Sequence, residues 1–139
     1  MAIDPLENYP GYALRRASAA TMARLARRVA ALELRVTEAS VLMVIDVNPN
    51  ITQRDIGQML AIASANMAPL VSRLADRELV DRQPVDGRSH GLVLTNMGRS
   101  VVAKVKKAVA KHEEELLSKI PPAQRKSFLA VLRTLWSED

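Results

Sequence analysis

"SANMAPLVSRLADRELVDRQPVDGRSHGLVLT", residues 64–95, decides the fold. Met67, Leu70, Val71 and Leu74 recur at spacings of three and four, the period of a helix with one buried face. Ala65, Asn66, Ala68, Pro69, Ser72, Arg73 and Asp76 are left for the outward side. The second half holds two β-compatible runs, 79–83 and 91–94, around Asp86-Gly87, a strong turn pair. Pro69 is the discordant residue, because a helix interior normally needs the N–H that proline lacks. Two helix starts accommodate it. With Asn66 as N-cap, Pro69 is the third helical residue, and its missing donor is one that has no helical partner anyway. With a start at Ser64, it falls at the fifth position and leaves the carbonyl of Ala65 without its donor.

Working outward, "TQRD" at residues 52–55 has the form of a capping box with Asp in place of Glu, opening a short helix on Ile56, Met59 and Leu60. Ala61 to Ala63 turn the chain into the helix already described. Two short helices joined by a tight turn form a helix-turn-helix, and the hairpin that follows makes it a winged helix. The plainer alternative is a surface hairpin with no partner.

Long amphipathic helices flank this unit. Tyr12 to Val36 carries Leu14, Met22, Leu25, Val29 and Leu32 with arginines interleaved, and the segment before it, with Pro5 and Pro10-Gly11, is expected to be irregular. Thr37 is the expected N-cap of a short buried helix through Val47, which Asn48-Pro49-Asn50 ends. Thr95 caps a helix striped by Val101, Val102, Val105, Val109, Leu116 and Leu117, with His112 expected on its surface. Pro122 suits the first turn of a last helix carrying Phe128, Val131, Leu132, Leu135 and Trp136. The terminal stripes exceed what a winged module of about 60 residues can cover. A two-fold dimer with interlaced terminal helices buries them, as does an intramolecular three-helix bundle; the dimer is the expectation.

Composition narrows the function. The 139 residues suit one mainly α domain with a small β-hairpin, and 48% apolar with 25% charged residues describes a globular chain. No cysteine is present, which excludes disulfides and thiolate metal sites. Two histidines 22 positions apart offer no catalytic or metal set, so no enzyme activity, metal or cofactor is expected. No run approaches a membrane span and no leader pattern opens the chain, so a soluble cytoplasmic protein is expected. A net charge of +5 points to a polyanion partner, yet residues 52–99 hold six arginines against five acids. Any DNA-reading surface there depends on where its few arginines point.

"GYALRRASAA" from Gly11, "SRLADRELV" from Ser72, the Asp-x-Arg of Asp86 and Arg88 after "LVDRQP", and "LTNMGR" from Leu94 together resemble the MarR family of bacterial transcription regulators. The likeness spans residues 11 to 136. It implies a homodimeric winged helix-turn-helix repressor on a palindromic operator, often released by a small anionic aromatic ligand. The single domain over residues 1–139 then divides into a winged lobe at 37–94 and dimerisation helices at 11–36 and 95–139. Two departures stand out: Glu78 occupies a position where the family usually has glycine, and the wing is about two residues shorter.

On this reading Asn66 pairs with adenine, Arg73 bonds guanine or phosphate, and Ser64 and Ser72 donate to phosphates, Ser64 serving alternatively as the N-cap. Pro69 can touch a thymine methyl, and Arg54 with Gln53 can meet phosphate. Each is equally an ordinary solvated side chain. Arg88 is expected in an A·T-rich minor groove, with Asp86 fixing its guanidinium or the turn backbone. Tyr12, Arg16, Ser40 and Met43 are candidate ligand-pocket residues, with Arg16 holding a carboxylate; such an arginine is more often a dimer-interface or surface charge. The "ANMAPLVSRL" segment resembles members near aromatic-acid catabolic genes, which suggests an aromatic acid or its thioester. A winged-helix module that binds protein, or coats DNA without sequence preference, is the competing function.

Overall fold

In a computed structural model that describes residues 1–137, the chain runs α1 (Pro10–Ala30), α2 (Val36–Val47), β1 (Ile51–Thr52), α3 (Gln53–Leu60), α4 (Ser64–Asp76), β2 (Val80–Pro84), β3 (His90–Leu94) and α5 (Asn96–Ser118). A 3-10 turn at Pro122–Gln124 leads into α6 (Arg125–Trp136). This is a winged helix-turn-helix with long terminal helices, as expected. The three strands form one antiparallel sheet in the order β1-β3-β2. Val80 pairs with Leu94 and Pro84 with His90 in the hairpin, while Ile51 pairs with Leu92.

The core follows the apolar periodicity. Met67, Leu70, Val71 and Leu74 of α4 are buried against Ile56, Leu79, Val80, Leu92, Val102 and Val105, with Val41, Leu42 and Ile45 of α2 in the centre. Those are the four α4 positions its spacing selects.

Several local expectations are corrected. The first helix begins at Pro10, whose fixed φ suits the first turn, and it ends at Ala30, not Val36. The chain then reverses through Glu33, held at φ 58°. Arg35, not Thr37, is the N-cap of α2: its backbone N–H donates to the Glu38 carboxylate at 2.8 Å, three residues on. The strand β1, only two residues long, was not expected; it forms because β3 offers it a partner. Ser64 is not an N-cap, nor is Asn66: Ala63 caps α4 without a side-chain bond, and Ser64 is the first helical residue. Pro69 is therefore the sixth helical residue, and the carbonyl of Ala65 loses the donor that a helix normally supplies. His112 is not a surface residue. It is 4% exposed in the α1–α5 contact, within hydrogen-bond distance of the Thr21 hydroxyl at 3.2 Å.

The end of α4 places the wing. Glu78 takes φ 60°, its N–H donates to the Ala75 carbonyl at 2.9 Å, and the Leu79 N–H donates to the Leu74 carbonyl at 3.0 Å. This is the paired closure of a Schellman cap, built on a residue with a Cβ. The Thr95 hydroxyl donates to the Glu78 carbonyl at 2.6 Å and accepts from the Gly98 N–H at 2.9 Å, tying the start of α5 to the end of α4. Gly98 is required by this approach, because a Cβ there would lie 2.0 Å from the Leu79 carbonyl oxygen. Glu78→Gly relieves the left-handed strain and is expected to raise stability by about 1 kcal/mol. Urea unfolding measures this, and an unchanged or lower midpoint at equal slope contradicts it.

Candidate nucleic-acid interface

The outward side of α4 carries Ser64, Ala65, Asn66, Ala68, Pro69, Ser72 and Asp76, all exposed. None is needed by the core, so this side is available to a partner. Its N-terminal half stands between two grooves. One, of about 420 Å³, lies toward α3 and is lined by Gln53, Arg54, Gln58 and Ser64. The other, of about 550 Å³, lies toward the start of α2 and is lined by Arg35, Thr37, Asn66, Pro69 and Arg73. The Asn66 N–H of the first turn donates to the Ala63 carbonyl at 2.9 Å, which leaves the N–H groups of Ser64 and Ala65 to add partial positive charge at this end. Arg54, exposed at the start of α3, follows the Thr52 cap, whose hydroxyl accepts from the Asp55 N–H at 3.2 Å. Polar donors thus flank the helix end on both sides.

The wing holds itself by one carboxylate. Asp86 Oδ1 accepts from the backbone N–H groups of Arg88 at 2.9 Å and Ser89 at 2.8 Å. Of the two roles expected for Asp86, its bonds go to the turn backbone, not to the Arg88 guanidinium. These bonds, that from Arg88 first, hold the Asp86 carboxyl below its ordinary value. The turn is therefore braced throughout the pH range above the ordinary carboxylate value and released only as pH falls through the lowered one. Arg88 is exposed and, among the described residues, forms no ion pair. From Asp81 to Arg88 every residue is exposed, so the hairpin projects clear of the body.

Arg73 is placed differently. Its Nε donates to Glu38 Oε2 at 3.4 Å, and its side chain is 42% exposed. Two residues at this face were missed by sequence reasoning, Glu38 and Arg77. Arg77 donates to the carbonyls of Glu33 and Leu32. The spacing from Arg35 to Glu38 is the signal for the first, and Thr37, with the more usual capping side chain, masks it.

The four candidate pocket residues separate into two pairs. Arg16 donates to the Tyr12 hydroxyl at 3.0 Å, which raises the arginine's already high pKa, and Tyr12 donates to Asp4 at 3.1 Å. Ser40 donates to the Val36 carbonyl at 3.0 Å, and Met43 packs against the core. None of the four lines the grooves beside α4. Among the described residues, no three His, Asp or Glu side chains gather to hold a metal, and no helix is long and apolar enough to cross a membrane.

A model of the MarR family matches residues 32–89. The transcriptional repressor CouR, solved on a 23-mer DNA duplex, is 34% identical with a TM-score of 0.89 over 99% of each chain. CouR bound to p-coumaroyl-CoA is 31% identical with a TM-score of 0.89, over 100% of this chain and 99% of that one. The PcaV transcriptional regulator of Streptomyces coelicolor, solved with its natural ligand, is 27% identical with a TM-score of 0.83, covering 97% of this chain and 96% of that one. A curated protein of Thauera aromatica, attributed to transcriptional regulation of the hcr operon, is 26% identical over 93% of this chain and 80% of its own length.

In Asp86→Ala the Arg88 and Ser89 amides are expected to exchange with solvent several-fold faster near neutral pH, with the unfolding midpoint unchanged. Amide exchange by NMR reads this, and equal protection in the variant shows that the carboxylate does not brace the turn.

Proposed function

The chain belongs to the MarR family of transcription regulators, and we propose that it is a repressor that binds an inverted-repeat operator as a homodimer and leaves it when an aromatic acid or its coenzyme A thioester binds. The observation that carries this reading is the correspondence, along the whole chain, with a repressor solved both on DNA and with p-coumaroyl-CoA. The geometry agrees with it. The outward side of α4 offers Asn66 to a base edge, Ser64 and Ser72 to phosphates and the Pro69 ring to a thymine methyl, with Arg54 beside them. The projecting wing offers Arg88 to the adjacent minor groove.

The dimer is supported by what the protomer leaves uncovered. Leu129, Val131, Leu135 and Trp136 of α6 are exposed, Trp136 by 69%, as are Leu6, Tyr9, Leu14 and Met22 near the other end. So many large apolar side chains on the terminal segments are rarely left to water. A second copy seated on both ends sets two recognition helices at the spacing of successive major grooves, about 34 Å. Tyr12, Arg16, Ser40 and Met43 are proposed to line the ligand site between α1 and the winged lobe. The ligand must bind the DNA-free arrangement better than the DNA-bound one, since equal affinity for both shifts nothing.

Selection of bound sequences from random DNA tests the reading. It is expected to enrich an inverted repeat bound roughly 10³-fold or more above random duplex. p-Coumaroyl-CoA or p-coumarate is then expected to release it, with coenzyme A alone as control. Enrichment of no inverted repeat points to the DNA-coating alternative and overturns the proposal. In Arg88→Ala, operator affinity falls and the dependence of log K on log salt becomes shallower by about one phosphate contact per protomer. Unchanged affinity across the salt series removes Arg88 from the interface.

A further inference from the structure

Among the described residues, Glu38 is the one acidic side chain in the core, 5% exposed, and it sits on the first turn of α2. Both of its oxygens are engaged, one by the Arg35 backbone N–H at 2.8 Å and the other by Arg73 Nε at 3.4 Å. A carboxylate this buried is unfavourable unless paired and hydrogen-bonded, so Glu38 depends on Arg73, whose own side chain is 42% exposed. Four residues on, at the C-cap of α4, Arg77 donates to the carbonyls of Glu33 at 2.5 Å and Leu32 at 3.2 Å, in the reversal that follows α1. Residues four apart share a helix face, so both arginines reach the same junction. An open groove of about 520 Å³ runs along these bonds, lined also by Ala30, Leu34 and Asp76. Leu70, Val71 and Leu74 pack the inner side of α4 into the core, and these directional bonds hold its outer edge against the α1–α2 junction.

We infer that Glu38, Arg73 and Arg77 form a polar clamp that orients α4 against the α1–α2 junction, which makes Arg73 a positioning residue and not a DNA contact. The inference rests on the DNA-binding reading above and deepens it. Arg77 holds two carbonyls of the reversal that joins α1 to α2, so a displacement of α1 is passed to the DNA-reading helix through those bonds, and the clamp is the link between the dimerisation end and the reading end of the protomer.

Arg73→Ala, Glu38→Gln and the double variant are compared on the selected operator and on random duplex across a salt series. Each single variant is expected to weaken operator binding about tenfold, the scale of a charge-assisted hydrogen bond. The salt dependence and the binding to random duplex stay at wild-type values. The double variant loses no more than the worse single, because both remove one interaction. The sign for Glu38→Gln is diagnostic: removing a negative charge near DNA strengthens binding if charge alone matters, whereas the clamp requires weakening. A shallower salt dependence in Arg73→Ala, or wild-type or tighter operator binding by Glu38→Gln, overturns the inference. Arg77→Ala, whose partners are carbonyls, carries the same test where Glu38→Gln does not fold. Hydrogen exchange on the DNA-free protein separates the two readings. If wild type binds no operator, the functional reading fails by itself. The clamp still requires faster exchange of amides 70–77 in Glu38→Gln or Arg77→Ala at an unchanged unfolding midpoint, and unchanged exchange in both refutes it.

Discussion

Everything downstream of the recognition helix depends on the meeting of Glu78 and Leu79 with Thr95 and Gly98. Four main-chain and side-chain bonds converge there. Leu79 closes α4 by donating to Leu74 and opens the hairpin by accepting from the Thr95 N–H at 3.1 Å. Thr95 caps α5 while donating to Glu78. Recognition helix, wing and long α5 helix are thus fixed to one another within a few residues, and the absence of a side chain at Gly98 is what lets them close. A small module with few aromatics has little other means of holding a projecting hairpin at a defined angle.

The same economy shapes the reading surface. The core side of α4 uses four aliphatic or methionine side chains, and the opposite side carries small and polar residues with a proline. Pro69 removes one hydrogen bond at Ala65, in the first turns of the helix, where the missing bond is least disruptive. Arg73 and Arg77, at the far end of the helix, bond back toward the α1–α2 junction. The exposed arginines at its flanks are Arg54 on α3 and Arg82 and Arg88 on the wing.

Much of this was legible in the residues. The stripe Met67, Leu70, Val71, Leu74 identified the buried side of α4, and Asp86-Gly87 located the wing turn, because both signals are local and repeat at a fixed period. Thr52 and Thr95 cap as their sequence context indicates. Other features were hidden. The N-cap of α2 was assigned to Thr37, the usual chemistry, whereas the structure uses the Arg35 backbone with Glu38. His112 was taken for a surface residue because its neighbours on α5 are charged, yet α1 covers it.

The sequence by itself determined the element order, the core side of each central helix and the family, since these follow from periodicity, turn chemistry and the order of motifs along the chain. Tertiary structure alone decided which arginines face outward, where α1 ends, and that a two-residue β1 exists at all. The physical reason is separation along the chain. Glu38 meets Arg73 across 35 residues, Arg77 meets the reversal after α1 across 44 and 45, and His112 meets Thr21 across 91. No local pattern encodes such pairs, because the burial that makes each one necessary exists only after the helices have packed.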